Sequence, residues 1–174
     1  YLNYLSNTSP RANLITYGKT HEGRKLVLLC ISSEDNLTNI ESIRQEHLKY
    51  TDPTAEVSNN QPIIVNLGYN VHGNEPSSSE AAMLTAYTLV ASKNKTINNF
   101  RNESVVFIDP TINPDGRDRY ANYYRMTGNI IPDINSYTRS HREPWPGGRT
   151  NHYYHDLNRD WWKKKKKESQ ERIK

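Results

Sequence analysis

The chain has 174 residues, which is enough for one domain with a hydrophobic core. Apolar residues make up 34% and the mean hydropathy is −0.93, values that are low for a globular protein but outside the range of disordered chains. The net charge is +4, but the run Lys163 to Lys167 holds five of the 23 basic residues, and the remaining 18 face 19 acidic ones, so the composition argues against nucleic-acid binding.

The cysteine content and the hydropathy of the chain are relevant to its cellular compartment. The single cysteine, Cys30, lies in an apolar run and is expected to be a buried, inert thiol, so no disulfide framework is possible. No apolar stretch approaches the ~20 residues of a transmembrane helix, and we expect no membrane span. No signal peptide opens the chain, which fits both a mature exported protein and a cytosolic one.

Apolar runs and amphipathic segments alternate along the first two thirds of the chain. Three dense apolar runs predict buried strands at 25–32, 61–68 and 104–110. Two segments predict amphipathic helices at 36–50 and 76–93, the second opened by Pro76, which suits a first helical turn. This alternation predicts an α/β fold, three-layer α/β/α, with a mixed, largely parallel central sheet. No linker interrupts it, so we predict a single domain over residues 1–174.

Residues 111–150 have a different composition. Gly, Pro, Asn, Asp and Tyr dominate there, and the segment shows little hydrophobic periodicity. We predict a long loop, and loops of this length usually have a function. Ligands of α/β folds bind beyond the carboxyl ends of the strands, so we place this segment at the rim of a site.

A candidate metal half-site lies in the sequence NLGYNVHGNE, between a predicted strand and a predicted helix. His72 and Glu75 are three residues apart, a spacing that points both side chains the same way in a turn that becomes helical. An imidazole and a carboxylate suit Zn²⁺, and Gly73 permits a sharp bend between them. Taken alone the motif is weak, and a solvated turn histidine beside a helix-starting glutamate is the simpler alternative.

A candidate carboxylate clamp lies in GGRTNHYYHDLNRDWW. Arg149 precedes the neighbouring pair Asn158 and Arg159. A guanidinium grips a carboxylate through two parallel hydrogen bonds, and an amide adds a donor, so convergence of these groups would create a pocket for a free chain terminus. The alternative is an arginine paired with Asp156 or Asp160 on the surface.

The combination of motifs resembles a known family. HGNE, then NPDG at 113–116, then GR-x-N-x-x-x-x-DLNR follow the order found in zinc carboxypeptidases of the M14 family, which are carboxypeptidase A/B/E-like. The segment 17–32 is similar to the family's early G-x-S/T-x-E-G-R motif and its following strand. The resemblance runs from about residue 4 to 162 and implies a zinc-exopeptidase-like fold.

The resemblance implies roles for five residues. His72 and Glu75 match two zinc ligands of the family. Arg149 matches the arginine that polarises the scissile carbonyl and stabilises the oxyanion. Asn158 and Arg159 match the pair that binds the terminal carboxylate of the substrate. The NPDG segment is expected to be a structural turn under the site, without chemistry of its own.

The chain departs from the family pattern after the DLNR motif. The family's third zinc ligand, its general-base glutamate and a substrate tyrosine all come later, so we interpret the chain as the N-terminal portion of a catalytic domain, apparently truncated. His141 lies in the rim segment and His152 and His155 lie just after it; all three are interpreted as solvent-facing or supporting histidines rather than as the third ligand. The lysine run is either a solvated helix face or an altered stretch, and we assign it no function.

Three functional hypotheses follow. The first is a zinc-dependent metallocarboxypeptidase that removes C-terminal residues from peptides with a free carboxylate, secreted or periplasmic by family habit. The second keeps the fold and the zinc pair in a cell-wall peptide amidase or D,L-peptidase. The third is a non-catalytic module that binds peptide C-termini.

Overall fold

The computed structural model describes residues 1–173 and contains both helices and strands. The α-helices in this part of the chain are Leu2–Thr8 (α1), Glu34–Thr38 (α2), Ile40–Leu48 (α3), Pro76–Ala91 (α4), Lys95–Glu103 (α5), Pro114–Thr127 (α6) and Lys167–Arg172 (α7). The strands are Ala12–Lys19 (β1), Lys25–Ile31 (β2), Ile63–Gly68 (β3) and Ser104–Asp109 (β4). Short 3₁₀ turns occupy Lys49–Thr51, Arg139–His141 and Leu157–Arg159.

The four strands form one mixed sheet in the order β1–β2–β4–β3. The prediction of an α/β fold with a mixed sheet is confirmed, but the pairing is mostly antiparallel, with one parallel pair, rather than largely parallel. Strand β2 runs antiparallel to β4, with Leu29 opposite Ile108. The sequence patterns do not predict β1, which leads into β2 through a tight connection containing Gly23 at φ 81°. A connection this short joins neighbouring strands only in antiparallel pairs.

Most predicted elements lie within a few residues of the observed ones. The three predicted strands correspond to β2, β3 and β4, and the predicted helix at 76–93 is α4. The prediction that the strand at 61–68 is buried is wrong, because none of the six residues of β3 is buried and Ile63 is 63% exposed. The helix expected at 36–50 is divided at Asn39 into α2 and α3.

The long loop expected at 111–150 is wrong in its first part, because α6 begins there. The side chain of Asn113 caps the helix by accepting the Gly116 N–H at 3.0 Å, and Pro114 occupies the first turn. The helix itself carries tyrosines and charges in place of an aliphatic stripe, so periodicity did not reveal it.

The chain folds into two compact units, and each unit is made of three chain segments. One comprises 1–15, 28–67 and 82–109, and the other comprises 16–27, 68–81 and the chain from 110 onward. A core cluster of the first unit contains Cys30, Ile43 and Val105. Burial raises the pKa of the Cys30 thiol to about 11, as expected for an unreactive cysteine. Every residue predicted for the site lies in the second unit, and the single-domain assignment stays a prediction.

The lysine run begins before α7 rather than forming its face. Lys163, Lys164 and Lys165 are exposed, and Lys167 is the first residue of the helix. None of the helices in residues 1–173 combines the length and apolarity needed to cross a membrane.

Candidate metal and carboxylate site

Asn70 shapes the turn that carries the candidate metal ligands. Its backbone adopts a left-handed conformation with φ 51°, which asparagine tolerates better than most residues. Its buried side-chain amide donates to the backbone carbonyls of His72, at 2.8 Å, and Glu75, at 2.9 Å. The backbone N–H of Asn70 donates to the Ser78 hydroxyl in α4 at 2.8 Å. These bonds tie the turn between β3 and α4 to the start of the helix.

The imidazole of His72 is held between three polar groups. Its Nε2 lies 2.9 Å from Asp156 Oδ1, and in the tautomer that carries the proton on Nε2 the ring donates to this carboxylate. In that tautomer the lone pair of Nδ1 faces Glu75 Oε1 at 3.2 Å and Arg149 Nη1 at 3.3 Å. A nitrogen lone pair and a carboxylate oxygen at this separation can bind a cation between them. The positively charged guanidinium of Arg149 lies beside this position.

Asp156 is the residue of this cluster that the sequence analysis did not assign to the site. It accepts from His72, from the backbone N–H of Asn158 at 2.9 Å and from Arg149 Nη2 at 3.0 Å. Burial alone would raise the pKa of Asp156, but the hydrogen bonds from His72 and Asn158 and the Arg149 charge lower it below the usual value. The sequence signal is the aspartate of DLNR, which the sequence analysis interprets only as a surface partner of an arginine.

The pair His72 and Glu75 fits zinc in chemistry and spacing. Bonds of 2.0–2.2 Å to zinc in tetrahedral geometry place two ligand atoms about 3.4 Å apart. The observed separation of His72 Nδ1 and Glu75 Oε1 is 3.2 Å. A carboxylate on the far nitrogen of a ligating histidine, as Asp156 is placed here, fixes the tautomer that leaves Nδ1 free for metal.

The pair has no third protein ligand within the described residues. Over 1–173, the one group of three metal-binding side chains whose donor atoms lie within 4.8 Å of one another is Glu22, Asp115 and His152. His141 instead contacts the carbonyl oxygen of Asp133 at 2.7 Å, and His155 is exposed.

The group of Glu22, Asp115 and His152 already contains a cation, the guanidinium of Arg24. Arg24 donates to Glu22 and, at 2.8 Å, to Oδ1 of the fully buried Asp115. Thr20 donates to the same oxygen at 2.8 Å. We therefore interpret the cluster as an ion-pair network that anchors the start of α6. The early motif of the sequence, T-H-E-G-R, supplies three of its members.

Three glycines from separate motifs pack backbone against backbone. A Cβ built on Gly73 would lie 2.1 Å from the Gly116 carbonyl carbon and 2.5 Å from the Gly148 oxygen. A Cβ on Gly116 would lie 2.3 Å from that same oxygen. Gly73 lies in a turn that the Glu75 N–H closes on the His72 carbonyl at 3.1 Å, so the expected bend is present. Its φ is not positive, so the position requires glycine for close backbone approach rather than for a left-handed conformation. The Asn113 amide, which donates to the Arg149 carbonyl at 3.1 Å, adds a further link.

The structure brings three of the five predicted site residues into direct contact. His72, Glu75 and Arg149 meet as described above. Asn158 and Arg159 lie in the 3₁₀ turn after Asp156 with exposed side chains. The Asn158 side chain accepts from Trp161 Nε1 at 2.8 Å, and Arg159 donates to the Asn158 carbonyl at 3.1 Å. Within residues 1–173, Arg159 forms no ion pair, whereas Arg149 pairs with Asp156, the surface alternative considered from sequence.

Comparison with known proteins identifies the family. The family model described as zinc carboxypeptidase, Peptidase_M14, matches residues 1–174. The chain belongs to the zinc carboxypeptidase family. A search of curated proteins gave no match.

Solved structures of carboxypeptidases share this fold over the part that aligns. A metallo-carboxypeptidase from Burkholderia cenocepacia aligns with a TM-score of 0.61 at 16% identity, covering 99% of this chain and 34% of that one. Carboxypeptidase A from Helicoverpa armigera aligns with a TM-score of 0.52 at 22% identity, covering 70% of this chain and 24% of that one. The chain thus spans a quarter to a third of the length of these relatives.

Proposed function

We propose that this chain is the part of a zinc metallocarboxypeptidase that supplies two metal ligands, a carbonyl-polarising arginine and a grip for the substrate's C-terminal carboxylate. His72 and Glu75 would hold zinc, Arg149 would act on the scissile carbonyl, and Asn158 with Arg159 would bind the terminal carboxylate. We assign neither the third zinc ligand nor the general base to residues of this chain. The protein is proposed to be secreted or periplasmic, because members of this family usually act outside the cytoplasm.

One observation supports this proposal above the others. The Nδ1 of His72 faces both Glu75 Oε1 and Arg149 Nη1, while Asp156 holds the opposite ring nitrogen. A bound zinc at this point would polarise a peptide carbonyl and lower the pKa of a coordinated water towards ~7. The guanidinium of Arg149 lies beside that point and can donate to an oxygen as negative charge develops on it.

The carboxylate grip explains why such an enzyme would cut only at a chain end. The exposed guanidinium of Arg159 has no ion-pair partner in the described residues, so it is available for a bidentate bond to a carboxylate. Holding the substrate terminus fixes which peptide bond reaches the carbonyl-polarising arginine. The intact protein should therefore hydrolyse a peptide with a free C-terminus and leave the C-terminally amidated peptide uncut. Equal cleavage of both peptides would contradict the proposal.

Kinetics of two arginine variants in the intact protein test the two roles separately. Arg149→Ala should lower kcat about 100- to 1000-fold, because it removes a donor to developing charge. Arg159→Ala should mainly raise KM, about 10- to 100-fold, because it removes a charged hydrogen bond made in the bound substrate. Initial rates over a range of peptide concentration separate the two effects. The reverse pattern would count against these assignments.

The supporting role of Asp156 predicts an effect on metal affinity without loss of a ligand. Asp156→Asn should weaken zinc binding about 10- to 100-fold, because the amide no longer fixes the His72 tautomer by a charged hydrogen bond. Competition with a chromophoric chelator measures the change. Asp160→Asn, four residues away, is the matched control and should retain the original zinc affinity. Unchanged zinc affinity in Asp156→Asn would refute the positioning role.

A further inference from the structure

The second unit contains a pocket of about 570 Å³. Helix α6 contributes Tyr120, Tyr123 and Tyr124, and the segment 129–143 contributes most of the remaining lining. Asn74, which lies between the two candidate metal ligands in the sequence, also lines the pocket. The volume is within the range of ligand sites and exceeds that of one side chain. None of the roles proposed above uses this pocket.

Two carboxylates make the lining of this pocket negative. Asp133 accepts the backbone N–H of Asn135 at 2.9 Å and the Thr138 hydroxyl at 2.8 Å. These two hydrogen bonds lower the pKa of Asp133, which is therefore ionised at neutral pH. Glu143 accepts the Asn74 side-chain amide at 2.8 Å and the backbone N–H of Gly148. Neither carboxylate is paired with a lysine or arginine within residues 1–173, so neutral donors fix both charges in place without cancelling them.

The positive groups near the pocket act only weakly on these charges. His141 is the basic residue of the lining, and its Nε2 contacts the Asp133 carbonyl oxygen at 2.7 Å. The charge of His141 also lowers the pKa of Asp133, but it is the smallest of the contributing causes. The guanidinium of Arg142 lies over the Tyr137 ring, 4.6 Å from its centroid. Arg117 lies close enough to act on Tyr120, but burial and the nearby Glu143 charge outweigh it and raise the pKa of that phenol.

The tyrosine wall adds a second feature that favours a cation. Tyr120 and Tyr124 are stacked with ring centroids 6.4 Å apart, and Tyr123 lies 6.2 Å from Tyr120. Tyr124 is 54% exposed, so part of its surface is free to receive a ligand. Aromatic faces attract ammonium and guanidinium groups while their edges contact the aliphatic stem of a lysine or arginine.

We propose that this pocket, defined by the three tyrosines with Asp133 and Glu143, binds a lysine or arginine side chain of the peptide substrate, upstream of the residue that is removed. The carboxylates recognise the charge, and the rings contact the stem. The identification of the ligand as a peptide rests on the proposed function, whereas the preference for a cation rests on the pocket alone. The proposal therefore separates into a binding test and a catalytic test.

The binding test uses two uncleavable probes of matched length with the intact protein. Nα-acetyl-lysine methylamide and Nα-acetyl-norleucine methylamide differ in the terminal ammonium, and neither has a free carboxylate. Saturation-transfer NMR titration should give a Kd for the lysine probe about five- to tenfold lower than for the norleucine probe. Equal affinities, or tighter binding of norleucine, would overturn the proposal.

Variants locate the binding and supply the control. Asp133→Asn should reduce the preference for the lysine probe to about twofold or less, because it removes a charge and retains the turn. Tyr124→Leu should weaken the lysine probe while preserving an apolar wall, which guards against misfolding of the loop in the first variant. Asp52→Asn is matched to Asp133→Asn, since Asp52 also accepts a backbone N–H two residues on and a threonine hydroxyl. A preference that both pocket variants keep, or that Asp52→Asn also loses, would refute the assignment.

The catalytic test distinguishes this inference from the proposed function. Peptides with a free C-terminus carry lysine, norleucine or glutamate at each of the three positions before the terminal residue. A lysine preference of about fivefold or more in kcat/KM at one position, lost in Asp133→Asn, supports the proposal. Hydrolysis without any lysine preference would refute the pocket assignment and leave the peptidase function standing. Probe binding without hydrolysis of any peptide would refute the peptidase function and leave the cation site standing.

Discussion

Replacement of His72 by alanine is expected to remove zinc from the protein. The intact wild-type protein should retain about one zinc ion per chain after dialysis, and the variant should retain almost none, with affinity lowered more than about 100-fold. Loss of a direct ligand must cost at least as much as loss of the carboxylate behind it, which lowers metal affinity about 10- to 100-fold. Elemental analysis at defined free zinc concentrations measures the change.

Two further variants make the zinc result specific. His155→Ala removes an exposed histidine of the same segment and should leave the zinc content unchanged. Glu75→Gln replaces a side chain that is 56% exposed, so it should reduce zinc binding strongly without disturbing the core. Zinc retention by both His72→Ala and Glu75→Gln would place the metal elsewhere. In that case Glu22, Asp115 and His152 would be the next residues to replace.

Replacement of Gly73 by alanine is expected to destabilise the protein by about 3 kcal/mol or more. The added methyl group would lie 2.1 Å from backbone atoms of both Gly116 and Arg117, and backbone cannot rotate away as a side-chain end can. Overpacking usually costs about 1–3 kcal/mol, and a clash with rigid backbone belongs at the upper end or beyond it. Urea unfolding, compared at equal m-values, gives the change in free energy.

Gly23→Ala is the matched control for the glycine junction. Gly23 has a positive φ of 81°, but a Cβ there would meet no atom within 4 Å. It should therefore cost only the strain of a left-handed alanine, about 1–2 kcal/mol. Similar losses in both variants would mean that the Gly73 contact is not tight. A larger loss in Gly73→Ala, accompanied by weaker zinc binding, would show that the junction also positions His72.

Local sequence patterns were sufficient for the elements with strong periodicity. The apolar strands β2, β3 and β4 and the helix α4 followed from runs of aliphatic residues and from Pro76. Helix α6 was missed because tyrosine and charged residues replace its aliphatic stripe. Its capping residues, Asn113 and Pro114, were visible as the NPDG motif, but we interpreted them as a turn.

The motif order was also sufficient to identify the family and to select His72, Glu75 and Arg149 as neighbours in space. It did not assign Asp156 to the candidate metal site, because an aspartate beside two arginines fits a surface ion pair equally well. The distinction depends on a contact across 84 residues, at 2.9 Å, between Asp156 and the far nitrogen of His72. No pattern of neighbouring residues encodes that distance.

The sequence by itself determined the family, most of the regular elements and the chemical types available at the site. Strand formation, helix capping and the supply of metal-binding side chains each depend on residues that lie within a few positions of one another. Spacing and composition in the sequence therefore predict them. Only the tertiary structure decided that Gly73, Gly116 and Gly148 meet, that Thr20 and Arg24 anchor α6, and that Asn74, between the two candidate metal ligands, lines a negative pocket with three tyrosines. These features arise where segments that are distant in the sequence pack against one another. Such packing depends on how the whole chain folds and is not encoded in any short stretch of it.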